Sequence, residues 1–485
     1  MIRDPRLIFE KHRPGRRAVR FPGEDSVPPP SAFLPEEAVR KAPPPLPETG
    51  ELDLVRHYTG LSRRNVGVDN LFYPLGSCTM KYNPAVNEAL SAAPGFCHLH
   101  PYQPEETVQG ILEVLHLTER WLAEIAGLAA VSLHPAAGAH GELTALLVIR
   151  KHLEARNEKG RTTVLIPDSA HGTNPASCTL AGFKTRQVRS SKKTGLVDLA
   201  DLEKKLGPDT AAVMITNPNT LGLFERDIQT IAAMVHEAGG QVYMDGANLN
   251  ALLGIARPGD FGVDIMHFNL HKTFSTPHGG GGPGAGPIGV QAHLEPHLPV
   301  PRVVRDGDRF RLSSDFPHSI GRTRSFAGNA LVVLRAFAYL LSLGRNGLKR
   351  VAEGAVLNAN YLRVRIREHY RIPFDGLCMH EFVAAPRKTG KVRTLDMAKR
   401  LIDLGFHPPT VYFPLIVPEA IMIEPTETES RETLDAFAEA MERIAREAAE
   451  DPEALRSAPH TTPVSRLDEV RAVRDPVLRW EPAEE

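Results

Sequence analysis

VDIMHFNLHKT, residues 263–273, decides how this chain folds. A short apolar run ends abruptly in a polar turn that carries Asn269, His271 and Lys272, as a buried strand does when it delivers side chains to one edge of a sheet. Three runs upstream have the same design: TTVLIPDSAHG (162–172), AAVMITNPN (211–219) and GQVYMDGANLN (240–250). Between the second and third lies RDIQTIAAMVHEAGG (226–240), a helical pattern closed by glycine. Buried strands that alternate with helices predict an α/β domain built on a mostly parallel sheet.

Further out, ETVQGILEVLHLTERWLAEIAG (106–127) places Val108, Leu112, Leu115 and Leu122 near helical spacing. On the other side NALVVLRAFAYLLSLG (329–344) predicts a helix stopped at Gly344. A second helical pattern follows at 347–370, then strands in DGLCMHEFVAAP (375–386) and YFPLIVPEAIMIEPTE (412–427), then a last helix over 430–450. The expected organisation is an N-terminal arm and interface segment over 1–100, a large α/β domain over 101–345, and a smaller α+β domain over 346–485. Within the first of these, prolines crowd residues 21–51 and predict extended backbone, since proline fixes φ and removes an amide donor.

Bulk composition narrows the function classes. A formal net charge of -1 over 485 residues supplies no drive toward nucleic acid or an anionic membrane. No run approaches the roughly 20 apolar residues of a membrane span. The basic start lacks the apolar centre of a secretory signal. Cys78, Cys97, Cys178 and Cys378 are scattered, with no CxxC pair, which fits a reducing compartment and a cytoplasmic protein.

Ligands of a parallel α/β sheet gather at the carboxyl ends of its strands. The residues there are His171, Asn217, Asp245 and Lys272, one from each of the four runs. A lysine after an apolar strand, followed by the glycine-rich TFSTPHGGGGPGAGPIG, is set to lose its proton and form a Schiff base. Asp245 would then sit beneath the pyridine nitrogen of a cofactor and keep it protonated. His171 is placed to stack on the cofactor face and to move protons. HPAAGAHGELTALLVIRKHLEAR (134–156) is a glycine-containing turn entering a helix, so the amides of Gly138, Ala139 and His140 point at an anion with the helix dipole behind them. A turn cap is the plainer reading of His171 and of Asp245, and an Asn-Pro turn that of Asn217. The glycine run lacks the GK[ST] ending of a nucleotide loop.

A phosphate cup at a helix start, a histidine, an aspartate and a lysine, in that chain order, resemble the aspartate-aminotransferase-like, fold type I class of pyridoxal 5'-phosphate enzymes. Four longer segments narrow the resemblance: YPLGSCTMKYNP (73–84), HPYQPEETVQG (100–110), MDGANLNALLG (244–254) and NLHKTFSTPHGGGGPGAGPIGV (269–290). They resemble the glycine dehydrogenase (decarboxylating) family, the P-protein of the glycine cleavage system, and specifically its lysine-bearing half, called subunit 2 where the halves are separate chains. The resemblance implies pyridoxal phosphate on Lys272, decarboxylation of glycine, and transfer of the aminomethyl group to the lipoyl arm of H-protein. It also implies a partner chain, subunit 1, with two of each in the assembly. Asn217 resembles the asparagine that contacts the ring hydroxyl in aminotransferases. Asn269 and His271 are placed to reach the phosphate from the lysine side, and Ser77, Cys78 and Thr79, where glycine and small polar residues follow an apolar stretch, read as a substrate or interface loop. The rivals are another fold type I enzyme, such as an aminotransferase or a desulfurase, and a non-catalytic scaffold subunit. For an aminotransferase, the arginines available to a substrate carboxylate, Arg387 and Arg393, lie in a charged stretch that reads as a solvated loop.

Overall fold

Seven strands carry the centre of the fold in the computed structural model, which describes residues 6–19, 26–42, 44–279, 284–374, 376–387 and 391–481. They are β1 (Ala130–Ser132), β2 (Thr163–Pro167), β3 (Lys184–Val188), β4 (Thr210–Thr216), β5 (Gln241–Gly246), β6 (Ile265–Phe268) and β7 (Ile288–Val290). Their order across the sheet is β1-β7-β6-β5-β4-β2-β3. Every pairing from β6 to β3 is parallel, and β7 alone runs against its neighbours β1 and β6.

The apolar runs behave as double-sided strands because both faces are covered. Every residue of β2, β4 and β6 is buried. Alternate side chains go to opposite cores, as a period of two requires. Leu165, Val213, Ile215, Val242 and Met244 join the helix Gln109–Ala126 on one face. Val164, Ile166, Ala212, Met214, Tyr243 and Ile265 join the helix Gly138–Ala155 on the other.

A long helical stretch, Ala330–Ile366, is broken at Gly344, where φ is +56° and ψ is -175°, so two helices meet at the predicted stop. By length and composition the stretch would reach across a membrane. Its apolar face is nevertheless accounted for by folding. Val333, Leu334, Ala336 and Tyr339 pack into the sheet core, and Ala359, Leu362 and Ile366 into a second core.

That second core lies against a four-stranded antiparallel sheet made of β10 (Tyr370–Arg371), β11 (Phe382–Pro386), β13 (Ile421–Ile423) and β12 (Thr410–Val411), in that order. Strands β8 (Arg302–Asp306) and β9 (Arg309–Ser313) form a separate hairpin. The helix Arg431–Glu450, capped by Ser430 accepting from the Thr433 amide, adds Leu434, Phe437, Met441 and Ile444 to the second core. The helix Thr394–Asp403 adds Met397 and Leu401. Phe72 belongs to the same core, and Leu75 bridges to Ile423 of β13, so residues 72–75 run beside the smaller sheet.

Compact units fall at Met1–Asn70 and Leu71–Glu485. The first holds the helix Glu51–Ser62 and short 3₁₀ turns at Pro30–Ala32 and Glu36–Ala38, with Arg16 paired to Asp53 at 2.9 Å. Residues 20–25 and Pro43 of the proline-rich arm lie outside the described residues, as do Gly280–Pro283 of the glycine-rich motif.

Candidate functional site

Asp245 ends β5 and is buried. One carboxylate oxygen accepts from the Ala247 amide at 2.9 Å, the other from Asn174 Nδ2 at 3.1 Å. His267 of β6 stands 3.4 Å away through Nε2, and its Nδ1 meets the Tyr243 hydroxyl at 2.6 Å. Burial opposes charge on Asp245, but His267, the Ala247 amide, Lys272 and Asn174 outweigh it and hold the carboxyl below its ordinary range. A carboxylate kept ionised in a buried place is what a cationic ring nitrogen requires as a neighbour.

Lys272 follows β6 in a tight turn, its amide donating to Asn269 O at 3.1 Å. It is half-buried among His271, His278 and three further groups introduced below. Burial, then His278 and Lys272, push His271 down to about 3, so this imidazole is neutral. Among the described residues its Nδ1 has no partner.

Gly138 begins the helix Gly138–Ala155, which no side chain caps. Asn269 lies directly against it, since a Cβ on Gly138 would come within 2.5 Å of Asn269 Oδ1. Gly286 closes the other side, where a Cβ would sit 2.0 Å from Ala137 O. The helix start, Asn269 and the lysine turn thus form one cup, and Ala139 lies in its first helical turn. The His140 side chain turns back, accepting from the Ala136 amide at 3.1 Å. Asn217, after β4, is fully buried; its oxygen accepts from the Glu225 amide at 2.9 Å and its Nδ2 has no partner among the described residues. His171 is exposed, fixed by the Thr173 amide at 3.2 Å and edge-on to Phe413 at 5.6 Å. The turn-capping contact and an accessible ring are both present there.

Loop 77–79 and three buried residues complete the surroundings of Lys272. Ser77 and Thr79 adopt φ of +60° and +48°. The Ser77 amide donates to Glu381 at 2.6 Å, and the Thr79 amide to Glu424 at 2.9 Å. His380 is fully buried between them, with Nε2 3.8 Å from Glu424 and 4.0 Å from Glu381. Burial pushes the Cys78 thiol up to about 11, so it is no nucleophile at neutral pH. Sequence reasoning missed Glu381, Glu424, His380 and His267. A charged residue at the end of an apolar run, as in IMIEPTE, was the available signal, the same one that marked Asp245.

The cup fits pyridoxal phosphate. An uncapped helix start offers amides to a phosphate. Asn217 Nδ2, Asn269 Oδ1 and His271 Nδ1 are buried polar atoms without partners among the described residues, which a polar ligand would satisfy. With the carboxylate at the tip of β5 and the lysine after β6, this is the architecture of fold type I pyridoxal-phosphate enzymes. A solved structure described as glycine decarboxylase (P-protein) of the glycine cleavage system, in inhibitor-bound form, superposes with a TM-score of 0.71. It is 24% identical, with 85% of this chain and 94% of that one covered.

Residues 24–312 match the family described as glycine cleavage system P-protein, and 351–461 the glycine dehydrogenase C-terminal domain. The chain belongs to the glycine cleavage system P-protein family. It is 58% identical over 477 residues to the probable glycine dehydrogenase (decarboxylating) subunit 2 of Caldanaerobacter subterraneus, with 98% of each chain covered. It is 56% identical to the protein of that name from Thermotoga maritima, covering 98% of this chain and 99% of that one.

Proposed function

We propose that this chain is the lysine-bearing subunit of a cytoplasmic, glycine-decarboxylating enzyme that passes an aminomethyl group to a lipoyl arm carried by H-protein. The observation that carries this reading is the convergence of Lys272, the ionised Asp245 and the Gly138 helix start on one sheet edge. It is supported by identity to subunit 2 relatives along nearly the whole chain.

Pyridoxal phosphate, when bound, supplies an electron sink for the pair left on glycine's methylene carbon as carbon dioxide departs. Lys272 would hold the cofactor through its side-chain amine and, when free, would serve as a base beside the reacting carbon. Asp245, fixed by two donors and His267, would keep the ring nitrogen protonated. The amides of Gly138, Ala139 and His140 would take the phosphate, with Asn269 and His271 on the lysine side. Asn217 Nδ2 would donate to the ring hydroxyl oxygen. His171, accessible and held by Thr173, would cover the ring face and exclude water.

Subunit 1 is the expected partner, two of each chain forming the assembly. Within this chain the proposed division is an arm and interface segment over 1–100, a cofactor-binding domain over 101–345 and a small domain over 346–485. A competing assignment as an aminotransferase finds no support at Arg387, which is exposed and donates to Arg367 O, or at Arg393, also exposed.

Visible spectra of the chain with added cofactor, before and after glycine, test the assignment together with label exchange between bicarbonate and the glycine carboxyl in the presence of subunit 1. The expected result is a yellow band that needs Lys272 and shifts with glycine. A Lys272→Ala protein that retained both the band and full exchange would overturn it.

A further inference from the structure

Glu381 and Glu424, fully buried just before β11 and just after β13, bring carboxylate oxygens within 4.8 Å of each other and of the His380 ring, and both feel the charge of Lys272. Nothing in the cofactor chemistry described above uses them. Their nearest donors are Ser77, through its amide and hydroxyl, and Thr79, through its amide and a 2.5 Å hydroxyl contact. None of these donors is a cation. His380, fully buried between the two carboxyls, has neither ring nitrogen hydrogen-bonded among the described residues, and its Nε2 faces both acids. Burial, then Lys272, push that imidazole down to about 3, so it does not neutralise them as a cation.

Two carboxylates buried together cannot both ionise cheaply, so the pair retains a proton. Burial and the charge of Glu424 push Glu381 well above the ordinary carboxylate range, and burial pushes Glu424 up to about 7. The titratable groups facing them are Lys272, His380, Cys78, Cys378 and Glu427. Lys272 is the one cation among these and draws both acids down without removing the upward shift.

The proposed reaction has a proton to place. The bond between glycine's two carbons breaks, carbon dioxide leaves, and the bonding pair remains on the methylene carbon. That pair forms a bond to one sulfur of the lipoyl disulfide, the sulfur–sulfur bond breaks, and its electrons stay on the second sulfur. The carbon is oxidised, the disulfide is reduced by two electrons, and the second sulfur needs one proton to become a thiol. We propose that the Glu381–Glu424 pair stores this proton next to Lys272 and delivers it to the departing lipoyl sulfur. Solvent then returns a proton to the pair. This role rests on the glycine-decarboxylating reading, and it assigns a second use to the loop carrying Ser77 and Thr79, which holds the acids in place.

The test uses the complex of this chain with subunit 1, pyridoxal phosphate, glycine and lipoylated H-protein, comparing wild type, Glu381→Gln and Glu424→Gln. Two rates are followed: bicarbonate exchange into glycine, and appearance of free lipoyl thiol. Thiol release should slow on the order of 10²-fold in either variant, as for loss of a general acid, while exchange is retained. Infrared difference spectra of the chain alone should show a protonated-carboxyl stretch that persists well above the ordinary carboxylate range and is lost in the double Gln variant. In wild type, deuterated solvent should slow thiol release more than exchange, which needs no variant to fold. Unchanged thiol release in both variants, or no protonated-carboxyl signal at neutral pH, overturns the proposal. Absence of exchange in wild type overturns the decarboxylase reading and this role with it, and the infrared signal then separates that failure from an error about the pair.

Discussion

Replacing Lys81 with methionine should cost this protein about 3–5 kcal/mol, the range for stripping one partner from a buried ion pair. Lys81 is buried, and its ammonium reaches Glu427 at 2.8 Å, Asn250 Oδ1 at 2.9 Å and the Tyr339 hydroxyl at 3.0 Å. Burial opposes its charge, yet Glu427 and Tyr339 outweigh that and hold its pKa above the usual lysine value. At 2.8 Å the attraction to Glu427 is about 6 kcal/mol for an effective dielectric near 20. Methionine fills a similar volume, so the loss is electrostatic rather than a cavity. Glu427 would be left with Asn250 Nδ2 at 3.1 Å and the tyrosine hydroxyl at 3.5 Å, both neutral. With an m-value of about 3 kcal/mol/M, the urea midpoint should fall by about 1–1.7 M. Lys81→Met combined with Glu427→Gln removes both charges and should recover to within about 1 kcal/mol of wild type, since a neutral buried pair carries little desolvation penalty. A single variant within about 0.3 M of wild type, or a double variant no better than the single, would refute the reasoning.

Gly286→Ala should abolish cofactor capture while leaving secondary structure intact, because its Cβ would sit 2.0 Å from Ala137 O and push the helix start out of place; fluorescence titration with pyridoxal phosphate checks it, and wild-type affinity would contradict it. The His236–Asp264 contact, 2.8 Å long, raises the His236 pKa above 6.5 by a side-chain hydrogen bond. A raised histidine stabilises the fold fully below the unfolded value and loses that contribution as pH rises through the folded one. The melting-temperature difference between wild type and His236→Gln should therefore be largest below about pH 6.5 and shrink above it; equal differences at both ends of the range would count against it.

The parallel core was legible because β2, β4, β5 and β6 are continuous apolar runs, and their polar ends marked Asp245, Asn217 and Lys272 directly. Strand β3, KTRQV, escaped notice because an edge strand with mostly exposed side chains has no such run. Strand β7 was hidden inside a glycine-rich motif whose residues were read for ligand approach rather than for pairing. His267 was missed because it interrupts an apolar strand, where a single polar residue looks incidental; only the sheet register puts it opposite Asp245. Glu381 and Glu424 were missed for a related reason. Their partners at Ser77 and Thr79 are over 300 residues away along the chain, beyond the reach of any local pattern.

That separation also sets a schedule. The Thr79 amide waits for a carboxylate 345 residues downstream, which at about 5–20 residues per second is roughly 17–70 s of synthesis on the ribosome. All seven strands of the large sheet have been made by Val290, with Lys272 already among them. From Val290 until Glu381 and then Glu424 emerge, a nascent chain holds its lysine and aspartate but not the full pair of acids. A product terminated after Val290 but before Glu424 would carry a cofactor cup with its wall of carboxylates unfinished.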